Sequence, residues 1–293
     1  LVGLVLQKIP SKKQNLTLGG LKDRNLLEQA LLVSVGVVFY SILPCTVIRF
    51  IYFDLDDTLL DHHYAQEQAL AASFAAFDWG MATLTELQTV YHHINVQLWT
   101  DYAQGNVTKD ELNTRRFSET IATLEAKVAM EAFKSHYLHT YAHHWQYISG
   151  AEATFRTVAS RVPVGILTNG FVEIQSDKLA RFPELRRLSA AVVISEEVGV
   201  LKPHPELFRW ATQKAGVTPE EILCVGDSLA SDVLGSLRAG WQAAWFRRSS
   251  QLVEAPKDAF VFSVWQDLIQ FVEAQNRCQS SPKPVVSQHH FIP

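Results

Sequence analysis

From Val47 the chain runs VIRFIYF, an apolar and aromatic stretch broken only by Arg49, and then turns at once to the acidic DLDDTLLDH. A short continuous run of this composition predicts a buried strand. From Tyr64 to about Gly150 the pattern changes to helical spacing, with no convincing strand. Glu67–Phe77 is Ala-rich, Leu84–Gln104 continues the style and stops at Gly105-Asn106, and Thr108 opens a further helix. Glu111, three residues after Thr108, completes a capping-box pattern that satisfies free backbone donors. From Val162 short apolar runs return: VPVGILTNG, AAVVISEEVG, EEILCVGDS and WQAAWFRR, with AFVFSV (259–264) as a final candidate. Helical stretches such as Glu206–Ala215 and Asp232–Ala239 separate them. Strands alternating with helices imply a parallel sheet covered on both faces. The expected architecture is α/β: a Rossmann-like parallel-sheet core from residues 47–63 and 151–275, with an all-helical insertion at 64–150.

The two ends read differently. Ala30–Ile48 is uncharged, largely apolar and close to the length of a membrane span. Its last residues are needed for the first strand, however, and no linker separates the two. Residues 1–46 are therefore expected to be an extension packed on the domain, or a stretch outside the functional fold, rather than an anchor. The tail 276–293 is rich in Pro and Ser and is expected to be disordered.

Composition narrows the function. The chain has 293 residues, 47% hydrophobic and 19% charged, with a formal net charge of −4 at pH 7. It offers no basic face for a phosphate backbone, which argues against a nucleic-acid polymer as partner. Three cysteines without metal-site spacing point to a reducing, cytoplasmic setting.

Polar chemistry gathers at the strand ends. The first predicted strand ends in Asp54-Leu55-Asp56, the second in Thr168-Asn169-Gly170, and Ile222–Val225 in Gly226-Asp227-Ser228. Lys202, followed by Pro203, lies in the loop after the third strand, and Asp232 follows near the start of a helix. Open parallel sheets bind ligands beyond the carboxyl ends of their strands. Asp54, Asp56, Asp57 and Asp61 crowd one such end, and crowded carboxylates are costly unless paired, hydrogen-bonded or bound to a metal. Taken singly, each of these residues is also compatible with a solvated loop, a turn or a helix cap. The His pairs 62–63, 92–93, 143–144 and 289–290 are scattered over helices and a tail and read as surface histidines.

DLDDT (54–58), ILTNG (166–170), KPHPELF (202–208) and GDSLASD (226–232), in that order, resemble the four motifs of the haloacid dehalogenase superfamily, specifically its phosphatases. The resemblance spans about Val47–Phe271. It implies Mg²⁺-dependent hydrolysis of a phosphomonoester. Asp54 would attack phosphorus to give an aspartyl-phosphate. Asp56 would protonate the leaving oxygen and later deprotonate water, its proton affinity raised by crowding beside Asp54. Thr168, Asn169 and Lys202 would bind the phosphate. Mg²⁺ would take Asp54, the backbone carbonyl of Asp56 and Asp227, with Asp232 as ligand or as support for a ligand. Asp57 would shape the turn, while Asp61 and Ser228 receive no assigned role.

The helical insertion falls where this family places its first type of cap, a lid suited to a small phosphorylated molecule. Specificity would then reside in the lid and in Leu59–Tyr64. The stretch INVQLWTDYAQGNVTKDELNTRRF (94–117) is similar to the bacterial pyrimidine 5′-nucleotidases of the superfamily, which implies nucleoside 5′-monophosphates as substrates. Arg115 and Arg116 could reach such a substrate, and Trp99, Tyr102 and Phe117 could stack on a base or form core. Sugar phosphates and N-acylneuraminate 9-phosphate are the alternatives. A dehalogenase is disfavoured by Asp56, since it has no alkoxide to protonate. A mutase is disfavoured by Asp57-Thr58, where Gly-Val would be expected. A non-catalytic binding protein of the same fold would be favoured by a lost motif, and all four are present.

Overall fold

The computed structural model describes residues 47–248 and 253–277. The expectations for residues 1–46 and for the tail beyond Arg277 lie outside the described residues. The elements, in order, are β1 (Phe50–Phe53), α1 (His62–Ala76), α2 (Leu84–Ala103), α3 (Lys109–Thr123), α4 (Met130–His143), α5 (Ala151–Ala159), β2 (Val164–Thr168), α6 (Val172–Arg181), α7 (Pro183–Leu188), β3 (Ser189–Ile194), α8 (Ser195–Val198), α9 (Pro205–Ala215), β4 (Ile222–Gly226), α10 (Leu234–Arg238), β5 (Gln242–Phe246), β6 (Ala259–Phe262) and α11 (Trp265–Arg277). The last helix continues to Arg277, two residues into what the sequence assigned to the tail.

The strands form one six-stranded parallel sheet in the order β3-β2-β1-β4-β5-β6. Strand order reverses at β1, whose neighbours are β2 and β4, so the loop after β1 emerges at the switch point. Phe53 lies opposite both Ile166 and Val225, which brings the three central strand ends level. β1 is shorter than the run Val47–Phe53, although Arg49 N still donates to Glu221 O at 2.8 Å. Successive β1 side chains enter opposite faces. Ile51 and Phe53 pack with Phe155, Ile166 and Leu268, while Phe50 and Tyr52 pack with Leu167, Phe208 and Trp241. The Tyr52 hydroxyl, buried in the second layer, donates to Ala211 O at 2.8 Å.

Helices α1–α4 make a separate layer with its own aromatic core, in which Tyr91, Phe117, Phe133 and Tyr137 are all buried. The Thr108–Glu111 capping box forms as expected, and Thr83–Glu86 forms a second. This insertion joins the sheet through two chain segments lying side by side. Leu60 pairs antiparallel with Tyr147, Asp61 N donates to Gln146 O, and Ile148 N donates to Leu59 O, both at 2.9 Å. Among the described residues no helix is long and apolar enough to cross a membrane.

One expected helix is altered. Asp232–Ala239 begins as a π-helical turn over Leu229–Val233, and regular α-helix starts only at Leu234. The wider turn lets the buried Asp232 side chain fold back onto the N–H of Ser228 at 3.0 Å.

Candidate active site

The loop after β1 is pinned at its start, where Asp54 N donates to Val225 O at 2.9 Å. It then turns back through Asp57, which adopts a left-handed φ of 60° and donates its N–H to Leu60 O. The Asp57 carboxylate caps His63 N, and Arg248 reaches both Asp57 and Asp61. Asp61 itself accepts from Tyr64 N at the start of α1. Asp57 and Asp61 therefore shape and staple the turn, as expected for the first of them. Ser228 caps the turn before Asp232 by accepting from Ser231 N.

This loop delivers Asp54 into a buried charge cluster. Asp54 Oδ1 accepts from Lys202 Nζ at 2.6 Å, and its Oδ2 accepts from the Thr58 hydroxyl at 3.2 Å. Lys202 Nζ donates in addition to Asp232 Oδ1 at 2.6 Å and Leu167 O at 2.8 Å, so all three ammonium hydrogens are engaged. Thr58 accepts from Asp227 N and lies 3.3 Å from Asp227 Oδ1. Trp245 fixes the same residue from outside by donating its indole N–H to Asp227 O. Asp54, Asp227 and Asp232 each present an oxygen within 4.8 Å of the others.

Three carboxylates thus face one ammonium, and the titration behaviour follows. Burial, only partly offset by Lys202, pushes Asp54 up to about 7, with Asp232 adding to the rise. Burial, then Asp54 and Asp232, hold Asp227 well above the usual carboxylate range. Lys202 would lose proton affinity through burial, but Asp232 and Asp54 reverse that and raise it. An anionic oxygen cluster short of positive charge fits a hard divalent cation.

Asn169 takes a different position from the one expected. Its amide clamps the backbone of Lys202, accepting from Lys202 N at 2.7 Å and donating to Lys202 O at 3.0 Å. The side chain therefore positions Lys202, with one amide hydrogen left over. Thr168 is buried at the end of β2, its hydroxyl oxygen accepting from Gln175 Nε2 at 2.7 Å.

Asp56 departs from its expected electrostatics. Its carboxylate turns to Lys178, with Nζ at 2.6 and 2.8 Å, and accepts from Gln175 Nε2 at 3.1 Å. Burial favours the neutral acid, but the Lys178 charge, then His62 and the hydrogen bonds, outweigh it, so Asp56 sits below the ordinary carboxylate range. Crowding by Asp54 does not raise its proton affinity; Asp54 and Asp227 carry the raised affinities instead. Lys178 is almost wholly buried, with its ammonium over the rings of Tyr141 and Trp145. His62 is no surface histidine either: its Nδ1 lies 2.7 Å from the Tyr141 hydroxyl and burial lowers its pKa. His63, His92, His93 and His143 are exposed, as the scattered pairs suggested, and His289 and His290 lie outside the described residues.

A cavity of about 80 Å³ lies where the insertion meets the sheet, with Asp56 and Lys178 on one side and Asn95 and Arg116 contributed by α2 and α3. Trp99 also borders it, stacked on Phe171 with centroids 5.0 Å apart, and Tyr102 meets Phe171 edge-on. Arg115 instead pairs with Glu119 on the surface, and Phe117 is interior to the insertion. In the loop Leu59–Tyr64, Leu59 and Leu60 are core and His62 faces the cavity.

Residues 48–240 match the family described as haloacid dehalogenase-like hydrolase. The chain is 33% identical over 199 residues to pyrimidine 5′-nucleotidase YjjG of Escherichia coli, covering 67% of this chain and 84% of the relative. It is 29% identical over 243 residues to a glyceraldehyde 3-phosphate phosphatase of Pyrococcus furiosus, covering 82% and 98%. The magnesium-bound crystal structure of the HAD-hydrolase YfnB of Bacillus subtilis, which reveals an interdomain movement, superimposes with a TM-score of 0.65 at 25% identity, covering 77% of this chain and 99% of that one.

Proposed function

Since this chain belongs to the haloacid dehalogenase-like hydrolases, we propose that it is a Mg²⁺-dependent phosphatase that works through an aspartyl-phosphate and acts on nucleoside 5′-monophosphates. The observation that carries the chemistry is the buried Asp54–Lys202–Asp232 chain at the switch point of the sheet. Asp54 supplies the attacking oxygen, and the P–O bond to the leaving group breaks as the Asp54–phosphorus bond forms. Lys202 neutralises the attacking carboxylate and a phosphoryl oxygen, held in place by Asp232 and by the Asn169 clamp. The Thr168 hydroxyl and the Asn169 backbone N–H donate to the remaining phosphoryl oxygens.

Asp54, Asp227 and the backbone carbonyl of Asp56 would hold Mg²⁺, which supplies further positive charge to the phosphoryl group. Asp232 has one oxygen on Lys202 and the other on Ser228 N, so its role here is to hold Lys202. Asp56 protonates the leaving alkoxide and afterwards removes a proton from the water that attacks the aspartyl-phosphate. The ionised, Lys178-bound Asp56 of this structure is in the form needed for the second step. For the first it must take up a proton, which requires its contact with Lys178 to loosen.

Helices α1–α4 act as the lid. The cavity of about 80 Å³ is far smaller than the roughly 300 Å³ or more of common ligand sites, so the lid lifts to admit a nucleotide. The similarity to YjjG supports the substrate class. The small cavity and the Pyrococcus relative favour a second reading, a sugar phosphate of glyceraldehyde 3-phosphate size.

Phosphate release from UMP, dTMP, CMP, glyceraldehyde 3-phosphate and p-nitrophenyl phosphate, with Mg²⁺ and with EDTA, tests both. Metal-dependent release strongest with pyrimidine nucleotides is expected. Preference for the sugar phosphate would replace the substrate and keep the chemistry. Absence of release from every ester would overturn the hydrolytic mechanism.

A further inference from the structure

The cavity wall supplied by the insertion carries two polar groups without partners. Asn95, on α2, is only 9% exposed, and its Oδ1 is buried without a hydrogen bond. Arg116, on α3, donates through Nη2 to Asn113 Oδ1 at 2.9 Å, yet its Nε is buried and unpartnered. Among the described residues Arg116 has no carboxylate partner, whereas its neighbour Arg115 is paired with Glu119. Buried amides and guanidiniums are normally satisfied, because an unmade hydrogen bond leaves the full desolvation penalty in place. Two such groups bordering one cavity are complementary to something that enters it.

Their chemistry limits what that is. A carboxamide offers an acceptor and a donor side by side, the arrangement that pairs in bidentate fashion with a nucleobase edge. A guanidinium N–H only donates, and so requires a carbonyl oxygen or an anion. A ring N–H flanked by carbonyl oxygens satisfies both residues at once: Asn95 Oδ1 accepts from the ring N–H, Asn95 Nδ2 donates to one carbonyl, and Arg116 Nε donates to the other. Such an edge belongs to an oxo-pyrimidine. Trp99, four residues after Asn95 on the same helix, borders the same cavity and presents an aromatic wall.

Resting on the nucleotidase reading above, we infer that Asn95 and Arg116 are the residues that read the leaving group, selecting a uracil- or thymine-type base by its hydrogen-bonding edge. Because both sit on the lid, recognition of the base and closure over the phosphate become one event. A substrate without that edge gains nothing from the pair.

Asn95→Leu, which keeps the branched shape of the side chain and removes the amide, separates a reading role from a structural one. The measurement is kcat/KM for UMP and for p-nitrophenyl phosphate in Mg²⁺, together with Tm. The ratio of the two kcat/KM values is expected to fall at least about tenfold, mainly through KM for UMP. Tm should stay level or rise, since an unsatisfied amide is replaced by an apolar group of similar shape. Arg116→Met should shift the ratio in the same direction. A ratio within twofold of the wild type in a folded variant would overturn the inference, as would a lowered Tm with both activities falling together. If the wild type hydrolyses p-nitrophenyl phosphate but no nucleotide, the substrate reading fails and this inference falls with it. A wild type active on UMP with indifferent variants removes the inference alone.

Discussion

Asp54→Asn exchanges the proposed nucleophile for an isostere that cannot attack phosphorus and carries no charge, and the structure fixes what this should do to stability. Asp54 lies in the buried cluster with Lys202, Asp232 and Asp227, and its pKa rises from 3.8 to about 7. At about 1.4 kcal/mol per pH unit, that step corresponds to about 4 kcal/mol. The sign follows from proton binding. Between pH 4 and 7 the folded protein holds the Asp54 proton and the unfolded chain does not, so stability falls as the pH rises through this window. The contribution is fully present below the unfolded value near 4 and is gone above about 7. Asn has no proton to lose, and its carbonyl can still accept from Lys202. Asp227 behaves in the same sense and is raised partly by Asp54, so its share should shrink in the variant too.

Urea denaturation of both proteins in EDTA, from pH 5 to 8, measures the effect. At pH 8 the variant should be more stable by about 2–4 kcal/mol, and the two curves should converge towards pH 5. Mg²⁺ should stabilise the wild type and do much less for the variant. Phosphate release should fall by more than about a thousandfold. A variant less stable than the wild type at pH 8 in EDTA would refute the reasoning, since Lys202 would then outweigh burial at Asp54. An unchanged decline with pH would do the same.

Two other substitutions probe the supports. Lys178→Met leaves Asp56 with Gln175 as its remaining side-chain donor and should cost about 2–3 kcal/mol, less than a fully buried pair because the Asp56 side chain keeps some exposure. The depressed Asp56 pKa contributes stability above about 4 that is lost as the pH falls, and denaturation at pH 7 and pH 3 should show the variant losing most at the higher value. Gly226→Ala places a Cβ against the Asp232 carboxyl group, so Asp232 must shift and release Lys202. A loss of about 1–3 kcal/mol and at least about a hundredfold in kcat are expected, and a variant with wild-type turnover would show that Asp232 is not needed to hold Lys202.

The motifs were legible because a parallel sheet brings its strand ends to one edge, so separated polar clusters such as Thr168-Asn169 and Gly226-Asp227 could be joined without knowing any contact. The strand Ile222–Gly226 was visible for the same reason, a short apolar run closed by glycine and a carboxylate. Lys178 was not legible. Within VEIQSDKLAR a buried lysine looks like any solvated one, and α6 has no side-chain cap to announce it. The available signal was spacing: Gln175 and Lys178 lie one helical turn apart, just after the TNG loop, on the face that also buries Leu179. Without Lys178 in view, the sequence points to Asp54 as the neighbour that governs Asp56, whereas the neighbour in space is Lys178. His62 is hidden in the same way, by standing next to His63. Adjacent helical residues point in different directions, and only His62 faces Tyr141.

The paired segments at Leu60 and Tyr147 have a further consequence, one for the history of the molecule. The chain leaves the sheet and returns to it at the same spot, stitched by backbone hydrogen bonds that no side chain dictates. Whatever is spliced between those points can grow, shrink or be exchanged without pulling on β1 or β2. The sheet, with the proposed phosphate chemistry, is a fixed socket, and the four helices are its fitting. Descendants of one ancestor could therefore acquire new substrates by trading the fitting while the reacting residues stayed where they were.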